Sequence, residues 1–422
     1  MLDLIRPGDA RYARVRHVYG ATGSPGAVVR PTSPEEVTEA LAFARDAGSP
    51  FAVRSGGHGI SSIATNDGGT VIDLGALASV DRLDARTVRL GPGAHWGHVA
   101  RALHPWGLAI SSGDSGDVGV GGLATTGGIG LMGRAHGLTI DSLVRAEILT
   151  ADGITRTVSA QENPDLFWAV RGAGANFGIV TSFEFTASTS ADVVQAQFAF
   201  AVPDLAGFLE TWGATVEASP REISAFLYLG GGAQPFAQAT VVYAGTDTAA
   251  ATRALEPFAS LPGVVGQRAQ VTAYADVPLT TDAPHSGQQR ALTHTGLVDH
   301  LDLALSRRLA VMMSGGAVQM LQIRSAGGAI NDVPEDATAY AHRHQNFSVT
   351  AISVGARAAF DAAWEPSFTL MDGMYLSFES DHAPRHVEDA FPPRTLARLR
   401  ELKAIWDPDG IFTQNFDVTA RP

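Results

Sequence analysis

The chain of 422 residues contains no cysteine. That absence excludes disulfides, thiolate metal sites and any cysteinyl link to a cofactor, and it fits a cytoplasmic protein. Basic residues are also scarce: 30 Lys and Arg stand against 43 Asp and Glu, a net charge of −13 with no basic patch to oppose it. Such a surface repels polyphosphate, so nucleic acid is not an expected partner. No apolar run approaches the roughly 18 residues of a membrane helix, and no membrane association is expected. The start, Met1-Leu-Asp-Leu-Ile-Arg-Pro7, has neither the basic stretch nor the apolar core of a secretion signal. Low-complexity tracts and internal repeats are missing too. What remains, 45% apolar and 17% charged residues, describes a globular protein of two or three structural units with enough chain for a large core.

Glycine, by contrast, is plentiful at 46 residues, and it is concentrated. Arg54-Ser55-Gly56-Gly57-His58-Gly59 lies between two apolar runs, 51–53 and 71–74, that read as strands. Glycines beside a histidine let the backbone approach a flat ligand and present the imidazole on a rigid scaffold. The segment Gly107 to Gly133 holds ten glycines, and its only charges are Asp114 and Asp117. A linker would be more polar and a core strand poorer in glycine. A buried loop whose N–H groups face an anionic ligand accounts for both features. Within it, Gly128 to Gly133 spells the dinucleotide pattern GxGxxG. No strand leads into it, and Arg134-Ala-His-Gly137 starts a helix poorly, so it is not read as a Rossmann turn.

Other elements punctuate the chain. Ser33 caps a helix with Pro34 at its first position and Glu36 completing a capping box; Gly48 ends it. Strands are expected at 87–90 and 179–185, a helix around Trp96 to Leu103, and a hairpin over 144–159 about Ala151-Asp152-Gly153. Asn163-Pro164-Asp165 opens another helix, and 171–178 is a second glycine loop. From about residue 192, strand-like runs (193–200, 223–229, 239–243, 348–354) alternate with helical faces. Leu205, Phe208, Leu209 and Trp212 form one such face; Ala250, Ala254, Leu255 and Phe258 form another. Gly230-Gly231-Gly232 reads as a loop. Leu396, Leu399, Leu402 and Trp406 line a last helix before an extended tail, 411–416. The fold class is α+β, in three parts: 1–190, an inserted antiparallel-sheet unit over 191–375 with flanking helices, and a return segment over 376–422.

Six stretches, in order, carry a family resemblance: Arg54-Ser-Gly-Gly-His58; Gly119-Val-Gly-Gly-Leu-Ala-Thr-Thr-Gly-Gly-Ile-Gly130; Ala151-Asp-Gly153; Asn163-Pro-Asp-Leu-Phe-Trp-Ala-Val-Arg-Gly172; Asn176-Phe-Gly-Ile-Val180; and Trp406-Asp-Pro-Asp-Gly-Ile-Phe-Thr-Gln-Asn415. Together they resemble the berberine-bridge-enzyme-like FAD-linked oxidases of the vanillyl-alcohol-oxidase (PCMH-type) fold. The likeness implies an FAD-binding domain over about 20–190, a substrate domain, and a tail that packs back on the cofactor. It implies FAD bonded at its 8α carbon to His58, with Arg54, Ser55, Gly56, Gly57 and Gly59 around it. Where many relatives attach the flavin a second time through cysteine, this chain has Ser115, so one bond at most is implied, as in monocovalent 6-hydroxynicotine-oxidase-like members. Gly116, Val118, Gly119, Gly122, Leu123, Thr125, Gly127, Gly128, Gly130, Gly178, Ile179, Val180, Tyr375 and Asn415 complete the implied cofactor contacts. Val118 matches the position that gates oxygen.

The resemblance implies a two-electron oxidation of a C–O or C–N bond in a small molecule (a secondary metabolite, sugar or heterocyclic amine), with O2 reduced to H2O2. A dehydrogenase using a quinone or carrier protein, and a catalytically silent flavin binder, stay open. Tyr375 matches a tyrosine that serves as base in some relatives, although the family's following asparagine is Ser377 here. His342, in the pair His342-Arg343, is the second catalytic candidate, with Tyr228 and Tyr274 behind them. His342 and His344 would share one face of a strand, but no third ligand is evident, and no metal is expected.

Overall fold

Ser33 does what its position predicts: its Oγ accepts the Glu36 N–H at 3.3 Å and starts the helix Pro34–Asp46, whose Val37, Ala40, Leu41 and Ala44 are buried. This helix lies on the first of three sheets in the protein, a computed structural model that describes residues 2–231, 236–281, 283–288 and 290–421. Met1 and Gly232, part of two sequence readings above, lie outside the described residues.

The first sheet contains β1 (Asp3–Ile5), β2 (Ala27–Arg30), β3 (Phe51–Arg54) and β4 (Thr70–Asp73), in the order β1-β2-β4-β3. β2, β4 and β3 run parallel, so the histidine loop leaves the end of β3 beside its parallel neighbour. The second sheet is antiparallel: β5 (Val80–Arg82), β6 (Thr87–Leu90), β7 (Leu143–Leu149), β8 (Thr155–Ser159) and β9 (Ile179–Thr186), ordered β5-β6-β9-β7-β8. The helices Trp96–Leu103, Pro164–Ala173 and Pro393–Trp406 share its core, so the C-terminal segment returns to the N-terminal half.

The third sheet has seven antiparallel strands: β10 (Asp192–Ala201), β11 (Ile223–Gly230), β12 (Phe236–Tyr243), β13 (Val264–Ala273), β14 (Leu292–Val298), β15 (Met320–Ser325) and β16 (Phe347–Ser353). Their order is β13-β10-β12-β11-β15-β16-β14. The period of two along a strand divides its residues between two cores. Ile223, Ala225, Leu227 and Leu229 of β11, and Leu321 and Ile323 of β15, pack under the helices Leu205–Ala218, Thr248–Ala259, Leu303–Ser314 and Arg357–Phe368. Phe226 turns the other way, onto Ile129, Leu131 and Met132 of the glycine-rich segment. That segment is therefore clamped between the sheet and the N-terminal half.

Several expectations change. The buried alanine on Thr248–Ala259 is Ala251 rather than Ala250. The glycine-rich segment is mostly loop, but it contains single helical turns at Val120–Leu123 and Gly133–His136. The second glycine loop begins inside a helix, which breaks where Gly172 takes φ 142° against the Tyr340 backbone. Residues 342 and 344 precede β16 and lie on no strand, so they share no face. Among the described residues no helix is long and apolar enough to cross a membrane.

Candidate functional site

The loops converge on a cavity of about 730 Å3. One wall is backbone. A Cβ on Gly56 would stand 2.6 Å from Gly119 N, and one on Gly119 would overlap Gly56 N and Ser55 Oγ. Only glycine lets these two loops touch. Ser55 Oγ donates to Pro92 O (2.6 Å) and accepts from Gly121 N–H (3.1 Å), which pins the same junction. At Gly122 a Cβ would meet nothing within 4 Å, so the backbone there faces open space.

His58 stands on this wall. Tyr19 packs on its ring (centroids 4.4 Å apart) and His285 lies 5.4 Å away. Its Nδ1 is buried and has no hydrogen-bond partner. Burial, and then the neighbouring His285, pull its pKa down to about 4, so the imidazole is neutral at pH 7 and keeps a lone pair. His285 is held by Gly56 O at 2.9 Å. It follows a segment of the unit that carries the third sheet, tied across to the glycine-rich loop: Leu279 N–H donates to Asp114 O, Gly116 N–H to Leu279 O, and Thr281 to Asp117.

Opposite, the third sheet supplies side chains by register. Tyr228 of β11 is the direct partner of Gln322 of β15, and Arg324 lies two residues on, on the same face. All three meet Asp114. Tyr228 Oη and Gln322 Nε2 each donate to Asp114 Oδ2 at 2.6 Å, and Arg324 Nη2 lies 3.4 Å from Oδ1. Burial alone would raise Asp114, but Arg324 and these hydrogen bonds hold it below the usual carboxylate range. Burial and the Asp114 charge push Tyr228 upward, so it stays a protonated donor. The Arg324 guanidinium also stacks 3.7 Å over the Phe378 ring.

Tyr375 sits between the two walls, at the entry to a short turn (Leu376–Phe378) rather than on a strand. Its Oη accepts the Gly128 N–H at 2.9 Å, and Ser377 Oγ hydrogen-bonds Thr126 Oγ1 at 2.8 Å.

Most sequence-predicted residues reach the cavity: Ser55 to Gly59, Ser115, Val118, Gly119, Gly122, Leu123, Thr125, Gly178, Ile179, Val180, Tyr375 and Asn415. Others stand behind it. Arg54 is buried in an ion pair with Asp73 (2.8 Å) beneath the loop. Gly116 packs on Gly97 and Thr280, and Gly130 on Ser111 and Ser112. Gly127 abuts Tyr340 and Tyr375, and Gly128 abuts Thr139. His342 is a correction: its ring lies against Gly373, its Nε2 bonds Ala390 O at 2.9 Å, and it does not line the cavity. A group sealed there cannot act on a substrate. Tyr274 is likewise buried, bonded to Ser112 N (3.1 Å). Sequence reasoning missed Asp114, Gln322, Arg324 and His285 as wall residues; for Gln322 and Arg324 the polar positions alternating with core residues on β15 were the available signal.

The FAD-binding-domain family profile matches residues 25–159. An FAD-linked oxidoreductase of Pyricularia oryzae is 30% identical over 430 residues, which cover 91% of this chain and 82% of the relative. The chain belongs to the FAD-linked oxidoreductases. Within this family, a xylooligosaccharide oxidase of Thermothelomyces thermophilus is 37% identical over 200 residues, 46% of this chain and 40% of that protein. The chain thus spans about 40% of that curated relative's length. The solved structure of 6-hydroxy-D-nicotine oxidase from Arthrobacter nicotinovorans superimposes with a TM-score of 0.86 at 25% identity, over 99% of this chain and 98% of that one. The two-domain α+β arrangement is therefore that of the PCMH-type, berberine-bridge-enzyme-like FAD-linked oxidoreductases. The residues fit the family's cofactor: a glycine-walled cradle that a Cβ would fill, and a buried imidazole nitrogen without a partner.

Proposed function

We propose that this FAD-linked oxidoreductase is an oxidase that carries FAD covalently on His58 and oxidises a C–O or C–N bond of a small molecule, with O2 as acceptor and H2O2 as product. The observation that carries the reading is His58 Nδ1: buried, unpartnered, neutral and set in the glycine-lined wall. Bound FAD would supply the two-electron acceptor.

The chain's own residues do the rest. The glycine junction at Gly56 and Gly119 would form one side of the cofactor's seat, and Asn415 and Phe416 of the returning tail, which also line the cavity, would help hold it. Tyr375 takes the substrate proton. Its oxygen receives the Gly128 N–H, which fixes the phenol at the cavity wall. Tyr228, kept protonated, binds and orients substrate together with Gln322 and Arg324. The valine at 118 on the wall supports the oxidase reading through the family likeness. Related proteins named as xylooligosaccharide oxidase and (R)-6-hydroxynicotine oxidase support a sugar or heterocyclic amine as substrate class.

The test is acid precipitation of the purified protein followed by peptide mass analysis. Flavin should stay in the pellet and map to the His58 peptide, and His58→Ala should release it. Tyr375→Phe should keep the covalent flavin and lose about 10²–10⁴-fold in kcat. Slow reoxidation of the reduced enzyme in air would make it a dehydrogenase, and protein that never binds flavin would overturn the proposal.

A further inference from the structure

Outside the cavity, β14, the chain after Phe378 and the helix Arg385–Ala390 bring together three buried groups: His294, Glu379 and His386. One donor atom from each lies within 4.8 Å of the others. Glu379 is wholly buried, and His294 and His386 are 2% and 5% exposed. None of the three lines the cavity.

The hydrogen bonds around them are lopsided. His294 Nε2 lies 2.8 Å from Asp361 Oδ1, and His386 Nε2 lies 3.1 Å from Asp381 Oδ2. Each ring therefore has one nitrogen on a carboxylate, which fixes the proton there and turns the lone pair of the other nitrogen inward. His294 Nδ1 points at the Glu379 carboxylate, 3.1 Å from both oxygens. Either a proton on Nδ1 or a metal ion held jointly by His294 and Glu379 satisfies that contact. His386 Nδ1 is buried with no hydrogen-bond partner; its nearest carboxylate, Asp389, is 3.5 Å away. A histidine that ligates metal through one nitrogen commonly gives its other N–H to a carboxylate, and both histidines here have that outer partner.

Charge points the same way. Glu379, Asp361, Asp381 and Asp389 are four carboxylates around the rings, and Arg385 (2.6 Å from Asp381) and Arg357 (3.7 Å from Asp361) are the two guanidiniums that offset them. With neutral histidines two negative charges are left over. One divalent ion balances the charge and satisfies both inward nitrogens.

We propose that His294, Glu379 and His386 bind a divalent transition-metal ion, with Zn2+ the best match to two imidazoles and a carboxylate. Ligands on one tetrahedral zinc stand about 3.3 Å apart, so the donors, within 4.8 Å of one another, need to close by at most about 1.5 Å. The ion is structural. It joins the edge strand β14 to the chain that leaves the cavity wall at Phe378, and so supports the turn that carries Tyr375. Nothing in this depends on His58 or on the nature of the substrate.

The experiment is metal analysis of the flavin-containing protein, purified without metal-affinity resin, by inductively coupled plasma mass spectrometry. About one zinc per chain should survive dialysis, and replacement by Co2+ should give visible d–d absorption. A strong chelator should lower the melting temperature, and added Zn2+ should restore it. Glu379→Gln and His386→Asn should lose the ion, while Asp361→Asn should weaken it about 10–100-fold. Folded wild-type protein that contains no metal and takes up neither Zn2+ nor Co2+ overturns the proposal. So does metal that stays bound in both ligand variants, because the ion then sits elsewhere.

Discussion

Replacing Lys403 by methionine keeps the aliphatic stem and removes three charge-assisted hydrogen bonds at once. Lys403 Nζ donates to Asp407 Oδ2 (2.6 Å), Asn176 O (2.7 Å) and Phe412 O (2.6 Å), and the side chain is 3% exposed. Asp407 is fully buried and also accepts the Ile411 and Phe412 N–H groups at 2.7 and 2.8 Å. Without the ammonium, a buried carboxylate is left uncompensated, and water cannot reach it to help. Breaking a buried pair from one side costs about 3–5 kcal/mol. At roughly 2 °C per kcal/mol for a large domain, the melting temperature should fall by about 8 °C. The double variant Lys403→Met/Asp407→Asn should recover about half of this, because most of the loss is the stranded charge rather than the missing bond. The effect should reach the site. The same carboxylate holds the start of the tail whose Gln414, Asn415 and Phe416 line the cavity, so flavin occupancy after expression should drop with stability. Thermal unfolding by circular dichroism and the flavin absorbance of the same samples measure both. A melting temperature within about 2 °C of wild type would refute the reasoning, since the buried ion pair would then carry no net weight.

Further outcomes follow from the glycine wall and from His58. Gly119→Ala should give protein without flavin or without a fold, because its Cβ would overlap backbone and Ser55, whereas Gly122→Ala, with nothing within 4 Å, should fold normally and lose only flavin affinity. In flavin-free protein His58 titrates near 4 when folded against 6.5 when unfolded. The unfolded chain then binds more protons between those values, so stability is full above about pH 7 and falls as pH drops from 6.5 toward 4. The partly accessible ring should contribute about 2 kcal/mol of that loss. Comparing denaturant curves of wild type and His58→Asn at pH 7.5 and pH 4.5 isolates it; equal pH slopes would contradict the burial argument. Tyr228→Phe should raise KM several-fold with a smaller change in kcat if, as proposed, the residue binds substrate without taking its proton. A loss confined to kcat would instead make Tyr228 the base.

The glycine wall of the cavity was legible in the sequence because its information is local. A backbone that must touch another backbone at Gly56 and Gly119 admits one residue type, and the histidine is two positions away on the same loop. Helix and strand punctuation such as Ser33, Gly48 and the turn at Asp152 is equally local, and those elements formed as read. His342 shows the limit. Its composition suits catalysis, but only packing against Gly373 and Ala390 decides that it faces away.

By itself, then, the sequence determined the flavin-binding class, the glycine loop that carries His58 and the α+β alternation, all of which rest on neighbours within a few positions. The tertiary structure alone decided what stands opposite. Asp114 meets Tyr228, Gln322 and Arg324 across more than a hundred residues because β11 and β15 pair in one register. His294, Glu379 and His386 meet because the return segment covers the edge strand β14. Strand pairing and the docking of a returning chain are set by the summed burial of whole faces, and no short stretch of sequence carries that sum.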